Sequence, residues 1–330
     1  MTAPGKRSGR RRREPTMVPD AEFSSYYGRP VVKPSPWQAD IPAYLFLGGL
    51  AGGSSLLAAG ADLTGNPAMR GPTRITALAA ILASLVALVH DLGRPARFHH
   101  MMRVMKPTSP MSVGTWILTA YGPLAGVAAV AEARDLLPER LDEGVVGRLL
   151  PVAGRAAGIG AALLGPAVAS YTAVLLTDTA TPSWHDARGE LPFVFVGSAA
   201  SAAAGMAMLA TPVAHAGPAR RLAVAGSVFE LAMSRRMESS MGLSAEPMHQ
   251  GRAGRYLTAA RVLTGAGALL AAWPARRGRA MSRIGGAALL AGSAATRFGI
   301  FHAGQQSARD PRYTVVPQRE RLDRSTQPSR

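Results

Sequence analysis

The sequence has no cysteine among its 330 residues, and only 17% of those residues are charged. Without thiolates, the chain lacks the ligands of Cys-held iron–sulfur clusters and zinc sites, and it forms no disulfides. We therefore expect no iron–sulfur cluster, no metal site and no covalently bound cofactor in this chain. The low fraction of charged residues argues against a soluble protein, because soluble proteins carry about 25% charged residues.

Histidine is also scarce where a haem protein would need it. A membrane cytochrome holds haem between facing pairs of histidines inside a helix bundle. All seven histidines fall at the ends of apolar runs or between them: His90, His99, His100, His185, His215, His249 and His302. We expect no haem, so any electrons that this protein handles must come from a partner subunit.

The sequence has instead a series of long apolar runs that are rich in Gly, Ala and Ser. Each is about 17–24 residues long, and about 18 apolar residues suffice to cross the hydrocarbon core of a bilayer. The runs cover residues 42–63, 73–92, 112–133, 154–177, 191–214, 219–235, 256–273 and 281–301. A soluble helical protein, the alternative, would show a polar face on such helices, and these runs lack one.

The runs predict an all-α integral membrane protein with about eight transmembrane helices. A basic polar arm at 1–36 precedes them, and a polar tail at 303–330 follows them. The basic run 10–13 has no apolar segment directly after it, so we expect an arm rather than a cleaved signal.

The net charge of +17 does not indicate a nucleic-acid-binding protein in this setting. Arg and Lys lie mostly in the two tails and at the ends of the runs, where the positive-inside rule and anionic lipid explain them. An even number of spans places both termini on one side, and that side holds the larger share of Lys and Arg. We therefore expect a multi-pass protein of the plasma membrane with cytoplasmic termini and no nucleic-acid partner.

Protonatable side chains gather at one depth beneath that side. Asp40 and Tyr44 open the first run, His90 and Asp91 close the second, and Tyr171 lies near the end of the fourth. Each has an ordinary structural explanation, such as a helix cap for Asp40 or an interfacial aromatic for the tyrosines. Their common depth favours a ligand or a partner at this face.

A second group of ionisable residues lies deeper, with Glu230, Arg261 and Arg297 each inside a predicted span. Charges at such depth are costly and are usually paired within the bundle. We predict an ion cluster of these three residues, which is either a structural link or a proton-handling site. In a secondary transporter, an alternative class of protein, the same residues would form the transport site.

Four short segments occur together between residues 41 and 172. They read IPAYLFLGGLAGGS at 41–54, DLGRPARF at 91–98, PTSPMS at 107–112 and SYT at 170–172. In combination with Pro182 and Trp184, they resemble the NrfD/PsrC family, the membrane subunits of polysulfide reductase-type complexes. The resemblance extends over about residues 37–310.

The resemblance implies a quinone-binding subunit of eight helices, with a first four-helix bundle in 37–190 and a second in 191–302. It also implies two partners, an iron–sulfur ferredoxin-like subunit and a molybdopterin catalytic subunit. The chain would pass electrons between the iron–sulfur subunit and membrane quinone (menaquinone or ubiquinone) without being catalytic alone. A purely structural membrane anchor remains an alternative, and it would need no protonatable cluster.

The resemblance and the common depth together suggest three sets of functional residues. The quinone-binding candidates are Tyr44, Tyr171, Asp40 and Trp37. The proton-relay candidates are His90, Asp91 and Glu230. The partner-docking candidates are Arg94, Arg97 and Trp184. Polysulfide reductase looks to have a histidine where this chain has Tyr44, so the hydrogen bond to quinone would be kept while the proton chemistry differs.

Overall fold

The computed structural model describes residues 29–134, 144–273 and 278–326. This part of the chain is built from helices and contains no strand, which confirms the all-α prediction. The basic run 10–13 lies outside the described residues.

Nine long helices and four short segments follow one another in the described part of the chain. The long helices are α1 Asp40–Leu63, α2 Pro67–His90, α3 Pro110–Glu132, α4 Val145–Thr177, α5 Leu191–Ala210, α6 Gly217–Ser240, α7 Gly251–Ala272, α8 Arg279–Arg309 and α9 Arg312–Thr326. The short ones are an α-helix at Pro182–Asp186 and 3₁₀ segments at Pro95–Met102, Val213–His215 and Gly242–His249. Proline occupies the first turn of α2, α3, α5 and α6, where its missing N–H costs no intrahelical hydrogen bond.

The helices pack in two rings. In the first ring, α1 and α3 each contact both α2 and α4. In the second ring, α5 and α7 each contact both α6 and α8. Helix α1 also packs against α5 and α8, so it joins the rings and is buried over most of its length.

Glycine pairs bring two helices together at a close crossing in each ring. In the first ring, a Cβ added to Gly165 of α4 would come 2.6 Å from the carbonyl oxygen of Gly52 on α1. In the second ring, a Cβ added to Gly205 of α5 would come 2.6 Å from the carbonyl oxygen of Gly286 on α8. Small residues let membrane helices approach closely and associate through backbone contact. The first and fourth helices of each ring therefore meet at their backbones.

Six of these helices, α1 to α5 and α8, are long and apolar enough to cross a membrane. They make the chain a multi-pass membrane protein. Helices α6 and α7 coincide with the predicted sixth and seventh spans, but they do not reach the same hydropathy. The reason is their arginines, which are Arg220, Arg221, Arg235 and Arg236 on α6 and Arg252, Arg255 and Arg261 on α7.

Both ends of the described chain lie at one end of the rings, which we call the terminal face. It includes Asp40 and Arg309, and the side chain of Gln305 on α8 donates a hydrogen bond to the carbonyl oxygen of Ser35 at 3.0 Å. The other end of the rings is the opposite face. The predicted polar tail from residue 303 differs from the structure, because α8 continues to Arg309 and Gly304 packs against a buried tryptophan.

Candidate functional site

A pocket opens at the terminal face within the first ring of helices. Its wall includes Trp37, Tyr44, Asp91, Gly114 and Tyr171, and we call it the aromatic pocket. The volume of the cavity is about 80 Å³. Ligand sites for small molecules usually have about 300–1,000 Å³ and combine an apolar wall with a few polar groups. The pocket therefore has the mixed wall of a ligand site, in a smaller volume than such sites usually have.

Tyr171 extends from α4 into the wall of this pocket. Its hydroxyl oxygen is buried and has no hydrogen-bond partner among the described residues. Leaving a buried hydroxyl unpaired costs about 1–3 kcal/mol. Gly114 of α3 makes room for the ring, because a Cβ at this position would overlap with it. The local structure thus keeps a hydrogen-bonding group available to a ligand oxygen.

Tyr44 and Trp37 line the pocket from α1 and from the segment before it. Tyr44 is 2% exposed, and its carbonyl oxygen accepts a hydrogen bond from Ser84 Oγ at 3.1 Å. Trp37 stacks on Trp184 with 5.9 Å between the ring centroids. The structure therefore brings three of the four quinone-binding candidates, Tyr44, Trp37 and Tyr171, to one pocket.

Asp40, the fourth candidate, lies beside the pocket rather than in its wall. Its Oδ2 lies 3.2 Å from Nδ1 of His90, whose side chain is 76% exposed. Asp91 does line the pocket, and burial raises the pKa of its carboxyl above the ordinary value, although a hydrogen bond from the backbone of Gln38 opposes the shift. Two of the proton-relay candidates, His90 and Asp91, are thus close to the pocket, whereas Glu230 lies in the second ring.

Two of the three docking candidates lie on the exposed surface next to the pocket. Arg94 and Arg97 are both exposed, and Arg97 belongs to the 3₁₀ segment Pro95–Met102. Phe98 on this segment is 49% exposed, while Met101 contributes to the pocket wall. The segment therefore forms part of the pocket and part of the surface at once.

The prediction that Trp184 docks a partner is wrong, because the side chain has no exposed surface. Its indole N–H donates a hydrogen bond to the carbonyl oxygen of Ile300 at 2.9 Å, and its ring packs against Phe301 and Trp37. A Cβ on Gly304 would overlap with the indole, so the glycine on α8 makes the burial possible. Trp184 connects the aromatic pocket to the second ring of helices.

The predicted ion cluster is only partly present. Glu230 and Arg297 are both buried in the second ring, at 2% and 0% exposure, and they interact electrostatically. Among the described residues no direct ion pair joins them: Glu230 accepts a hydrogen bond from Thr296 Oγ1 at 2.8 Å. Arg297 donates to the carbonyl oxygen of Phe195 at 2.9 Å, and its guanidinium lies 3.7 Å from the centroid of that ring. Both charged groups thus bind neutral neighbours.

Arg261 does not belong to this buried group, so its assignment to the cluster was wrong. It pairs with Glu238 at 3.0 Å, and its side chain is 43% exposed. The buried face of α7 is formed by Leu257, Ala260 and Thr264, which turns Arg261 outward. Counting residues along a span gave its depth but not the side of the helix.

A charge network at the opposite face was not found from the sequence. Arg74 of α2 is 6% exposed and lies 2.8 Å from Glu132 of α3 and 3.7 Å from Asp62 of α1. Arg70 pairs with the same two carboxylates at 2.6 and 3.0 Å, and Arg155 of α4 lies 3.3 Å from Asp62. We call these five residues the four-helix charge network. The spacing of Arg70 and Arg74, one turn apart on one helix face, was the available signal.

Comparison with known proteins bears on the residues of the aromatic pocket. No curated protein matches the chain. The sequence model of the family described as polysulphide reductase, NrfD, matches residues 31–245. This range covers well over half of the chain and includes every residue named in the aromatic pocket. The protein therefore belongs to the NrfD family, as the resemblance of its short segments indicated.

Proposed function

We propose that this protein is the membrane-anchoring, quinone-interacting subunit of a multi-subunit oxidoreductase. It passes electrons between an iron–sulfur ferredoxin-like subunit and membrane quinone, and a molybdopterin subunit carries out the catalysis. Membership of the NrfD family supports this role in general. The observation that carries it is the aromatic pocket, in which the buried Tyr171 hydroxyl has no partner among the described residues.

The chemistry of quinone requires both hydrogen-bond partners and a source of protons. Reduction of a quinone to a quinol takes two electrons from the iron–sulfur partner and two protons from water. In this proposal the hydroxyls of Tyr171 and Tyr44 bind the ring oxygens, and Asp91 delivers protons. Because its pKa is raised by burial, this carboxyl holds its proton to a higher pH than a free aspartate does. The exposed pair of His90 and Asp40 connects Asp91 to the solvent.

The partner subunit docks at the terminal face in this proposal, because the aromatic pocket opens there. The exposed arginines Arg94 and Arg97 offer positive charge. Phe98, next to Arg97 on the same 3₁₀ segment, offers apolar surface. Such a mixed surface is typical of protein interfaces, where aromatic residues and arginine are enriched. We place this face and both termini in the cytoplasm, following the distribution of Lys and Arg.

We further propose that all eight helices from α1 to α8 cross the membrane, as two four-helix bundles. The contacts at the ends of α6 support this count. Before α6, the carbonyl oxygen of His215 accepts a hydrogen bond from Asn66 at the opposite face, at 2.9 Å. At the end of α6, Ser240 donates to Glu190 at the terminal face, at 3.1 Å. Helix α6 thus runs through the whole thickness of the protein.

Helix α7 returns over the same distance. Next to its start, Gln250 accepts a hydrogen bond from Gln306 at the terminal end of α8, at 3.2 Å. Near its end, the carbonyl oxygen of Ala271 accepts one from Arg220 in the first turn of α6, at 3.0 Å. The arginines of α6 and α7 lower the hydropathy of both helices, but several lie near helix ends, where long side chains reach the polar interface.

The experiment that tests the quinone site is Tyr171→Phe in the assembled complex, which removes one hydroxyl and keeps the ring. Loss of a hydrogen bond worth about 1–3 kcal/mol should lower quinone-linked turnover roughly ten- to a hundredfold. Turnover with a soluble dye should continue, because the dye takes electrons from clusters in other subunits. An unchanged rate with quinone would remove Tyr171 from the site.

Tyr121→Phe is the matched control for this variant. Tyr121 is also buried, but its hydroxyl is already hydrogen-bonded, to the carbonyl oxygen of Ala51 and to the hydroxyl of Ser55, both at 2.7 Å. Its loss should lower the stability of the chain and leave the quinone rate per assembled complex unchanged. If both variants lose the rates with dye and with quinone equally, misassembly explains the effect and the proposal fails.

Purification of the chain with its native neighbours separates the proposal from a transporter. Copurifying subunits with iron–sulfur absorbance and molybdenum support the oxidoreductase. A solitary chain that takes up a solute in proteoliposomes would instead favour a secondary transporter built around Glu230 and Arg297, the buried charges of the second ring.

A further inference from the structure

A second and larger groove lies at the terminal face, between the segment before α1 and the ends of α7 and α8. Its wall includes Trp37, Arg252, Phe298, His302 and Arg309, and we call it the basic groove. It is distinct from the aromatic pocket, with which it shares only Trp37 among the residues named for the two walls. Nothing in the proposed quinone chemistry uses this groove.

The segment before α1 is held in place as one wall of the groove. The side-chain amide of Gln305 on α8 donates hydrogen bonds to the carbonyl oxygens of Ser35 and Trp37, at 3.0 and 3.4 Å. Trp37 is fixed further by its stacking on Trp184. Hydrogen bonds and ring stacking therefore fix this wall of the groove.

The groove carries positive charge that the described residues do not neutralise. Arg252 and Arg309 both interact electrostatically with His302, and within the described residues neither arginine has a carboxylate partner. One acidic residue, Asp310, does line the groove. Its carboxylate already accepts a hydrogen bond from the backbone N–H of Arg312 at 2.9 Å and lies 4.0 Å from the guanidinium of Arg312. Like charges held together in this way are stabilised by an anionic ligand.

Apolar surface lies directly beside these charges. Phe298, Phe301 and Trp37 line the same groove, and Phe298 is on the membrane-crossing helix α8. The end of such a helix is the depth at which lipid phosphates lie, and basic pockets between transmembrane helices bind anionic head groups. An amphiphile with a phosphate and an acyl chain would match both parts of the wall.

We propose that the basic groove binds an anionic phospholipid, with its phosphate at Arg252 and Arg309 and its acyl chain against Phe298 and Trp37. The N-terminal residues 1–28 are a poor electrostatic match for it, because this stretch contains Lys6, Arg7 and the arginine run 10–13. Free phosphate would use the arginines but leave the aromatic surface unused.

The test uses the full chain in a neutral detergent and four probes. These are phosphatidylglycerol, phosphatidylcholine, inorganic phosphate and an oligoglutamate peptide, each measured by native mass spectrometry and by the shift in unfolding temperature. We expect saturable binding of phosphatidylglycerol and a raised unfolding temperature, with no comparable effect of the other three. Equal binding of phosphatidylcholine, an equal effect of phosphate, or stronger binding of the peptide would each overturn the proposal.

Paired substitutions locate the site. In the double variant Arg252→Gln/Arg309→Gln, binding of phosphatidylglycerol should weaken by roughly 10- to 30-fold. The control Arg255→Gln/Arg283→Gln removes the same charge from exposed positions outside the groove and should bind as the unchanged chain does. Arg252→Lys/Arg309→Lys restores the charge and should recover most of the affinity. Equal weakening in the control, or none in the double glutamine variant, would refute the assignment.

Discussion

Replacing Glu132 with glutamine should destabilise the first ring of helices strongly. Glu132 is 12% exposed and binds two arginines of α2, with 2.6 Å to Arg70 and 2.8 Å to Arg74. Glutamine has nearly the same shape, so the packing is kept and only the charge is lost. Asp62 would then be the single carboxylate of the four-helix charge network, facing three arginines that include Arg155.

The size of the effect follows from the burial of each pair. Removing one partner of a fully buried ion pair costs about 3–5 kcal/mol, whereas an exposed pair contributes about 0–1 kcal/mol. The side chain of Arg74 is 6% exposed and that of Arg70 is 32% exposed, so Arg74 accounts for most of the loss. We expect Glu132→Gln to lower the free energy of unfolding by about 2–4 kcal/mol.

The assay is unfolding of the purified chain in a mild detergent, followed by circular dichroism. Glu238→Gln serves as the control, since its partner Arg261 is 43% exposed and the pair should contribute less than about 1 kcal/mol. Adding Arg74→Met to Glu132→Gln should recover part of the loss, because the buried charge that lost its partner is then removed. Similar losses in Glu132→Gln and Glu238→Gln would refute the reasoning from burial.

Three further variants address the two rings. Gly114→Ala forces the Tyr171 ring out of its place, so quinone-linked turnover should fall while dye-linked turnover is kept. Because burial raises the pKa of Asp91, this carboxyl keeps its proton to a higher pH than a free aspartate, and Asp91→Asn should abolish the corresponding step in the pH profile of quinone turnover. Glu230→Ala should destabilise the chain more than Glu230→Ala combined with Arg297→Met, because the single change leaves a buried charge alone; equal unfolding temperatures would contradict this.

The end of a span at which a residue lies was predictable from the sequence. This largely explains why the residues of the aromatic pocket could be predicted to lie together. Tyr44, Asp91 and Tyr171 lie near the same ends of alternating spans, so counting along the chain placed them at one face. The short segments that resemble the family pointed to the same residues. The all-α class and the membrane helices followed in the same way from long apolar runs.

The side of a helix on which a residue lies was not predictable, and this explains the error at Arg261. Spans that are apolar all round give no stripe to separate an inner from an outer face, so Arg261 was taken for a buried residue. Trp184 was taken for a surface residue because it lies between two predicted spans, and the sequence did not show that the short helix Pro182–Asp186 is buried against α8. The partners of Arg74 were hidden for a related reason, because they depend on how three helices cross.

The two glycine crossings have a consequence for the order in which the protein assembles. The contact of Gly52 with Gly165, like that of Gly205 with Gly286, joins the first helix of a ring to its fourth. Each ring therefore closes only when its last helix has entered the bilayer. The first ring has all its helices as soon as α4 is inserted, whereas Trp37 is fixed in the pocket wall only when α8 is also present. A bulky residue at Gly286 would then disrupt closure of the second ring and leave the part of the pocket that belongs to the first ring already formed.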